Sequence, residues 1–240
     1  MSKKMLAAAA TAALTVGGLA FAGAPAAHAA SGCAAQTVGY GSRGGCAMAA
    51  QEWLKDQGFL TGRSDGKFGV GSVNATLNYQ RSRGLAETGT FDKATWSAML
   101  NGRRTLAAPR PAACRAKGVV LCANKAKRTL TLLKDGVAKK TLKVRFGGFT
   151  YTDNGSYRIF QTAKGSFRVY GKDPKAYSAR WKASMPYSVK FDPTMYVHYS
   201  ADFAKKGYAA ASHGCINVRS KADAAWIYRN TPVGAKVVVF

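Results

Sequence analysis

In the first half of the chain, apolar residues recur at the three- and four-residue spacing of amphipathic helices. One helix is predicted over residues 47–58, a second begins with Ser72 as its cap, and a third begins near Phe91 or Asp92. A turn-rich loop at residues 65–69 separates the first two helices. The pattern therefore predicts a small three-helix bundle. Its predicted core residues are Trp53, Leu77, Tyr79, Trp96 and Leu100.

The second half of the chain alternates apolar and polar residues with the period of two that is typical of strands. Segments 128–133 and 141–146 flank an Asp-Gly pair at 135–136, which predicts a hairpin. Ser220 and Pro232 mark the start and end of one helix. Further strands are predicted over residues 157–160, 166–170, 188–191, 195–198 and 236–240. The chain is thus predicted to be an α+β multi-domain protein, with the helical bundle followed by a mostly β, sandwich-like domain.

The predicted domain limits follow from three further segments. Residues 1–30 combine two lysines, an apolar run and an Ala-x-Ala site, which predicts a signal peptide; a retained membrane anchor is the alternative. Residues 103–112 contain two prolines and no apolar period, which predicts a linker. The helical domain then spans 31–102 and the β domain 113–240. We expect no transmembrane span after signal cleavage, because no later stretch approaches the ~20 apolar residues that a span needs.

Composition narrows the possible chemistry. The chain has 240 residues, with 36 Lys and Arg against 11 Asp and Glu, and a formal charge of +25. This excess indicates a polyanionic neighbour such as nucleic acid, an anionic membrane or an acidic matrix. No glutamate follows Glu87, and the later aspartates lie far apart in sequence. Glycosidase chemistry, which usually needs two carboxylates, is therefore disfavoured.

Five cysteines predict two disulfides and one free thiol in an exported protein. Four paired cysteines allow three connectivities. The simplest pairs neighbours in sequence, Cys33 with Cys46 and Cys114 with Cys122, and leaves Cys215 free. A competing interpretation treats Cys33 as a lipid-carrying N-terminus, because the preceding residues resemble a lipobox; Cys46 would then lack a partner.

The free cysteine lies close in sequence to both histidines that remain after the predicted signal peptide. His213-Gly214-Cys215 follows Ser212, and His198 ends a predicted strand upstream. An imidazole that takes the thiol proton would make the sulfur a nucleophile for acyl transfer. On an extended backbone, residues 213 and 215 would share one face. Zinc binding by the two histidines and the cysteine, or a purely structural role, remains open from the spacing alone.

Two stretches resemble known families. Segments 197–200 and 212–218, with Gly155-x-Tyr157-x-Ile159 and Met185-Pro186-Tyr187, resemble the L,D-transpeptidase (YkuD-type) catalytic domain over residues 117–240. Asn217 stands where many members carry arginine, which is similar to the actinobacterial type. Residues 44–101, with Asp65-Gly66-x-Phe68-Gly69 and Tyr79-Gln80, resemble the three-helix peptidoglycan-binding module.

The transpeptidase resemblance assigns roles to residues in the matching motifs. It implies that Cys215 is the nucleophile, that His198 is the general base, and that His213 and Gly214 complete the catalytic motif. Backbone N–H groups of residues 213–215 would bind the oxyanion. The implied substrate-binding residues, with a donor pocket at 185–187 and a lid at 177, are Met185, Pro186, Tyr187, Tyr177, Ser212 and Asn217.

The implied function is a secreted L,D-transpeptidase of the cell wall that forms 3→3 cross-links through a cysteine acyl-enzyme, with no cofactor. Its expected partners are peptidoglycan stem peptides and anionic wall polymers. The alternatives are an L,D-carboxypeptidase, which uses water as acceptor, a catalytically inactive wall-binding protein, and a zinc peptidase. A nucleic-acid partner is not expected, because the sequence contains no recognisable nucleic-acid-binding motif.

Overall fold

The computed structural model describes residues 32–102 and 109–240. The predicted signal peptide and most of the predicted linker lie outside the described residues. We call residues 32–102 the helical domain and residues 109–240 the β domain. None of the described helices is long and apolar enough to cross a membrane.

Three α-helices form the helical domain: α1 (Gly45–Asp56), α2 (Val70–Arg83) and α3 (Lys93–Leu100). Helix α3 begins at Lys93, next to its predicted start near Phe91 or Asp92, and the Asp92 carboxylate caps it by accepting a hydrogen bond from the Thr95 N–H. The predicted cap at Ser72 is wrong. Helix α2 begins at Val70, and Ser72 lies inside it, where its hydroxyl accepts a hydrogen bond from Gln51 Nε2.

The core of the helical domain is built from aromatic residues at the predicted spacing. Tyr79, Trp96 and Leu77 are fully buried, and Trp53 packs against Tyr79 with ring centroids 4.6 Å apart. Leu100 is 41% exposed, so its predicted place in the core is wrong. It is the last residue of α3, and the chain turns away beyond it.

Nine of the thirteen strands of the β domain form one mixed sheet, in the order β6-β13-β1-β2-β3-β12-β11-β10-β7. The pairs β4–β5 and β8–β9 are separate two-stranded hairpins. The strands are β1 (Val119–Asn124), β2 (Thr129–Lys134), β3 (Val137–Arg145), β4 (Phe149–Tyr151), β5 (Tyr157–Ile159), β6 (Gly165–Arg168), β7 (Gly171–Asp173), β8 (Tyr177–Ser178), β9 (Ala183–Ser184), β10 (Ser188–Asp192), β11 (Met195–Tyr199), β12 (Ile216–Val218) and β13 (Lys236–Val239).

The large sheet curls until its two ends meet. Phe167 on β6 and Phe191 on β10 stand near opposite edges in the strand order, yet their ring centroids are 5.4 Å apart. One core, which includes Leu121, Val144 and Val197, fills the space between the two halves. The predicted α+β fold is confirmed, and the sandwich-like packing arises from one curled sheet that closes around its core.

Turn and cap chemistry explain several of these elements. Asp135 and Gly136 have φ angles of +52° and +77°, which the tight β2–β3 turn requires. Ser220 caps α5 (Lys221–Asn230) by accepting a hydrogen bond from the Asp223 N–H, as predicted. A short helix, α4 (Ala201–Lys206), was not predicted; Ser200 caps it.

The predicted disulfides are confirmed. Cys33 pairs with Cys46 and Cys114 pairs with Cys122, with Cα–Cα distances of 5.5 and 5.9 Å. Among the described residues, Cys215 is the free cysteine.

Helix α2 packs directly on the β domain. The Asn74 amide makes two hydrogen bonds with the backbone of Phe149: its Nδ2 donates to the carbonyl at 3.0 Å, and its Oδ1 accepts from the N–H at 2.9 Å. Arg81 Nη2 donates to the Gly147 carbonyl at 2.7 Å. The two domains therefore share a contact that includes specific, buried polar groups.

Three charged side chains are buried at this contact. Glu87 lies 2.8 Å from Arg81 Nη2 and 2.7 Å from Lys125 Nζ, and both cations are less than 5% exposed. Burial alone would raise the pKa of Glu87, but Arg81 and Lys125 outweigh it and hold the pKa below its usual value. Burial lowers the pKa of Lys125, and Glu87 opposes that shift. Glu87 is thus the counter-ion that lets both cations be buried.

We expect Glu87→Gln to lower the free energy of unfolding by about 3–5 kcal/mol, because two buried cations would lose their carboxylate partner. Urea unfolding at neutral pH measures this change. Glu52→Gln is the matched control, since Glu52 is exposed on α1; we expect a change below about 0.5 kcal/mol. Equal effects of the two substitutions would contradict the role given to Glu87.

Candidate active site

The parallel pair β11–β12 places the site on one face of the sheet. Val197 pairs with Ile216, and both belong to the core. The next pair in register, His198 and Asn217, therefore projects to the opposite face, since side chains alternate along strands. Cys215 immediately precedes β12.

Both nitrogens of the His198 ring are hydrogen-bonded. Nδ1 lies 2.6 Å from the Tyr199 carbonyl, which can only accept, so Nδ1 carries the proton. Nε2, 3.0 Å from Asn217 Nδ2, then accepts from that amide. The Asn217 Oδ1 accepts from Arg145 Nη2 at 2.9 Å, which fixes the orientation of the amide. Arg145 in turn pairs with Asp202 at 2.9 Å.

His198 is neutral at physiological pH. Burial, together with the positive charge of Arg145, lowers its pKa to about 4, and the hydrogen bond to Tyr199 offsets part of this shift. The imidazole therefore has a lone pair on Nε2 and is able to accept a proton.

The Cys215 thiol is half-buried and protonated. Burial raises its pKa to about 11, the charge of Asp192 adds to this, and a hydrogen bond from the Tyr196 N–H opposes it. The Tyr196 nitrogen lies 3.5 Å from Sγ. Within the described part of the chain, no hydrogen bond joins this thiol to either histidine. The resting pair is thus a neutral thiol and a neutral imidazole, not an ion pair.

A ring of hydrogen bonds fixes the loop that carries the thiol. The Ser212 hydroxyl donates to the Cys215 carbonyl at 2.6 Å and accepts from the Gly214 N–H at 3.2 Å. The Thr162 hydroxyl donates to the Gly214 carbonyl at 2.8 Å and accepts from the Gly147 N–H at 2.9 Å. Thr162, fully buried, was not singled out from the sequence because nothing in its neighbourhood forms a motif.

The expected extended backbone at residues 213–215 is absent. His213 and Gly214 form a bend, and Gly214 has a φ of +117°, a conformation that glycine tolerates best. The alternation that would place His213 and Cys215 on one face therefore does not apply.

His213 is held by aromatic residues. Its Nε2 donates to the Tyr151 carbonyl at 2.8 Å, and its ring stacks on Trp181 with centroids 3.7 Å apart. The edges of Tyr151 and Phe160 complete the enclosure at 5.0 and 4.9 Å. Burial lowers the pKa of His213. Trp181 was missed from the sequence; its position in a basic loop gave no signal.

Of the six residues expected to bind substrate, four lie on or just after the β8–β9 hairpin. The other two, Ser212 and Asn217, bond the Cys215 carbonyl and the His198 ring. Tyr177, 62% exposed, lies on the β8–β9 hairpin, whose turn carries Trp181. The Pro186 carbonyl accepts a hydrogen bond from the Tyr199 N–H at 3.0 Å, beside the His198 strand. Tyr187 packs on Tyr228 of α5, with centroids 5.9 Å apart.

Met185 holds the base of the hairpin, because its N–H donates to the Ala176 carbonyl at 2.8 Å. Among the described residues, no group of three or more His, Cys, Asp or Glu is arranged to hold a metal ion.

Two models of known protein families match the chain. Residues 118–239 match the YkuD family model, described as the L,D-transpeptidase catalytic domain, and residues 46–99 match a peptidoglycan-binding domain. The first match covers slightly more than half of the 240 residues. The chain belongs to the L,D-transpeptidase family.

Solved structures of L,D-transpeptidases are similar to this chain at low sequence identity. One from Xylanimonas cellulosilytica is 25% identical, with 85% of this chain and 98% of that chain covered and a TM-score of 0.45. One from Stackebrandtia nassauensis is 21% identical, with 84% and 93% covered and a TM-score of 0.46. Among curated proteins, no sequence matches the chain.

We expect the rate of Cys215 alkylation by iodoacetamide to rise about tenfold per pH unit from pH 7 to 10, since the thiolate reacts and the folded pKa is about 11. In urea the same thiol has an ordinary pKa near 8.5, so its rate should level off above about pH 9. Mass spectrometry of the alkylated chain measures both rates. A plateau near pH 8 in the folded protein would refute the raised pKa.

The lowered pKa of His198 should make the fold acid-sensitive. Between pH 6.5 and 4 the unfolded chain binds a proton that folded His198 does not, so stability falls as pH falls. From pH 7.5 to 5 this loss is about 2 kcal/mol for His198. Urea unfolding at the two pH values should show a smaller drop in His198→Gln than in the parent. Identical drops would show that His198 titrates normally.

Proposed function

We propose that the protein is a secreted L,D-transpeptidase that forms 3→3 peptidoglycan cross-links through an acyl-enzyme on Cys215. The observation that carries this proposal is the single free thiol of the described chain, next to β12 and one strand from an imidazole whose Nε2 is unprotonated. The disulfides and the peptidoglycan-binding domain support an extracytoplasmic location at the cell wall.

In the proposed first step, Cys215 Sγ attacks the carbonyl of the L-centre of diaminopimelate in a donor tetrapeptide. The thiol proton passes to His198 Nε2. To receive it, Nε2 must first give up its hydrogen bond from the Asn217 amide and accept one from the thiol. The C–N bond to the terminal D-alanine then breaks, and the leaving amine takes the proton from His198.

In the second step, the side-chain amine of an acceptor stem attacks the thioester and His198 takes its proton. The new amide forms and the sulfur leaves as the thiol. Because burial disfavours a separate thiolate, we propose that proton transfer and attack occur together. Among the described residues, the N–H groups of His213 and Cys215 have no acceptor, whereas the Gly214 N–H already bonds Ser212. The first two are the proposed oxyanion donors.

The remaining assignments stay proposals of the same kind. Tyr177, with the rest of the β8–β9 hairpin, would act as a lid, and Met185 and Pro186 would line the donor pocket. Anionic wall polymers would attract the protein through its net charge, so that salt should weaken its binding to sacculi.

Incubation with a purified disaccharide tetrapeptide, followed by mass spectrometry of the products, tests the proposal. We expect 3→3 dimers and a transient mass increase on the protein. Cys215→Ala should lose more than about 10³-fold of this activity, because the nucleophile is absent. Ser166→Ala, an exposed residue on β6, is the control and should retain activity.

Release of D-alanine without dimers would favour the L,D-carboxypeptidase over cross-linking. Cross-linking by Cys215→Ala, or no acylation of the parent protein, would overturn the acyl-enzyme proposal. The second result would favour an inactive wall-binding protein.

A further inference from the structure

A row of aromatic residues runs from the helical domain to the active-site loop. The Tyr40 ring lies 5.6 Å from the Tyr157 ring, and Phe149 lies beneath both at 4.9 and 5.5 Å. Tyr157 is directly opposite Tyr151 in the β4–β5 ladder. Tyr151 is 6.3 Å from Trp181. We call Tyr40, Tyr157, Tyr151 and Trp181 the aromatic strip.

Three of the four residues of the strip are open to solvent, whereas Trp181 is partly buried and stacks on His213. Tyr40, Tyr157 and Tyr151 are 54%, 44% and 47% exposed, whereas Phe149, on which the first two rest, is buried. Adjacent exposed aromatic rings are unusual on a soluble surface and mark a binding site. Phe149, which belongs to the β domain, packs in the core of the helical domain. The strip therefore crosses the contact between the two domains above a buried core residue.

One end of the strip reaches the catalytic loop. Trp181 and Tyr151 both contact His213, which lies two residues from Cys215. In peptidoglycan, the peptide that reacts hangs from a glycan strand. Three extended residues span about 10 Å, so the glycan must pass within roughly that distance of the thiol while the stem occupies the site.

The chemistry of the strip suits a glycan. The C–H faces of pyranose rings stack on aromatic rings, and tyrosine hydroxyls bond sugar oxygens at the rim. Two guanidinium groups lie near the Trp181 end of the strip. Arg158 is 4.2 Å from the ring centre of Phe160, which in turn lies 5.5 Å from Trp181. Arg180, which also pairs with Asp153 at 3.0 Å, is 4.8 Å from the ring centre of Trp181. These cations can donate to acetamido and lactyl oxygens. A peptide of mixed side chains has no comparable repeating flat face.

We propose that the aromatic strip binds the glycan strand of peptidoglycan, a β-linked N-acetylhexosamine polymer, and directs its stem peptide toward Cys215. The site is formed by both domains, since Tyr40 belongs to one and the other three residues to the other. This inference rests on the proposed function, whose reaction requires a stem attached to such a strand.

Binding of peptide-free glycan strands to the full-length Cys215→Ala protein tests the proposal without any turnover. Calorimetry should show that Tyr157→Ala and Tyr151→Ala each weaken binding by about tenfold or more, because a stacking surface is lost. Tyr157→Phe should weaken it much less. Tyr170→Ala, an equally exposed tyrosine outside the strip, is the matched control and should bind like the parent. Circular dichroism confirms that each variant is folded.

Unchanged binding in both alanine variants would overturn the proposal, as would equal displacement of the glycan by free stem peptide. The two proposals fail separately. Glycan binding without cross-linking would support the glycan site and contradict the proposed transpeptidase activity. Cross-linking without strip-dependent glycan binding would support the activity and contradict the glycan site.

Discussion

Glu87 lies between Arg81 of the helical domain and Lys125 of the β domain, and both cations are buried with this one carboxylate as counter-ion. The contact continues to the loop at residues 212–215. Lys125 Nζ donates to the Thr162 carbonyl at 3.0 Å, and the Thr162 hydroxyl holds the Gly214 carbonyl. The shape of the loop that carries the Cys215 thiol is thereby connected to the docking of the helical domain, through hydrogen bonds whose loss would leave buried groups unpaired.

The cost of burying charge also determines the state of the candidate active site. His198 and the thiol are kept neutral by burial, while Asn217 and Arg145 hold the imidazole in the tautomer that has its lone pair on Nε2. A neutral pair costs less to bury than an ion pair. In the proposed reaction, charge would therefore develop during acyl transfer and not before it. Groups that meet this developing charge, such as free N–H donors, then matter more than thiol activation at rest.

Features set by local rules were predictable from the sequence. The Asp-Gly turn at 135–136, the Ser220 cap and the pairing of neighbouring cysteines depend on a few adjacent residues, and each was confirmed. Ser72 shows the limit of such rules, because a buried partner, Gln51, takes the hydroxyl that a cap would have used.

The missed features depend on residues far apart in the chain. Trp181 stacks on His213, and Thr162 bonds Gly214, across separations that no periodicity encodes. The motif at 212–215 predicts a reactive segment, but its bend follows from contacts with Tyr151 of β4 and with Thr162. Tertiary structure therefore had to supply the surroundings of His198 and Cys215, including the burial that shifts the pKa values of both.

Burial of the thiol has a second consequence, for redox chemistry. Disulfide exchange proceeds through a thiolate. With a pKa of about 11, only about one Cys215 in 10⁴ is ionised at pH 7. The free sulfur can therefore coexist with the Cys33–Cys46 and Cys114–Cys122 bonds without scrambling them. The desolvation that raises the pKa of Cys215 thus also slows disulfide exchange at this sulfur in the folded chain.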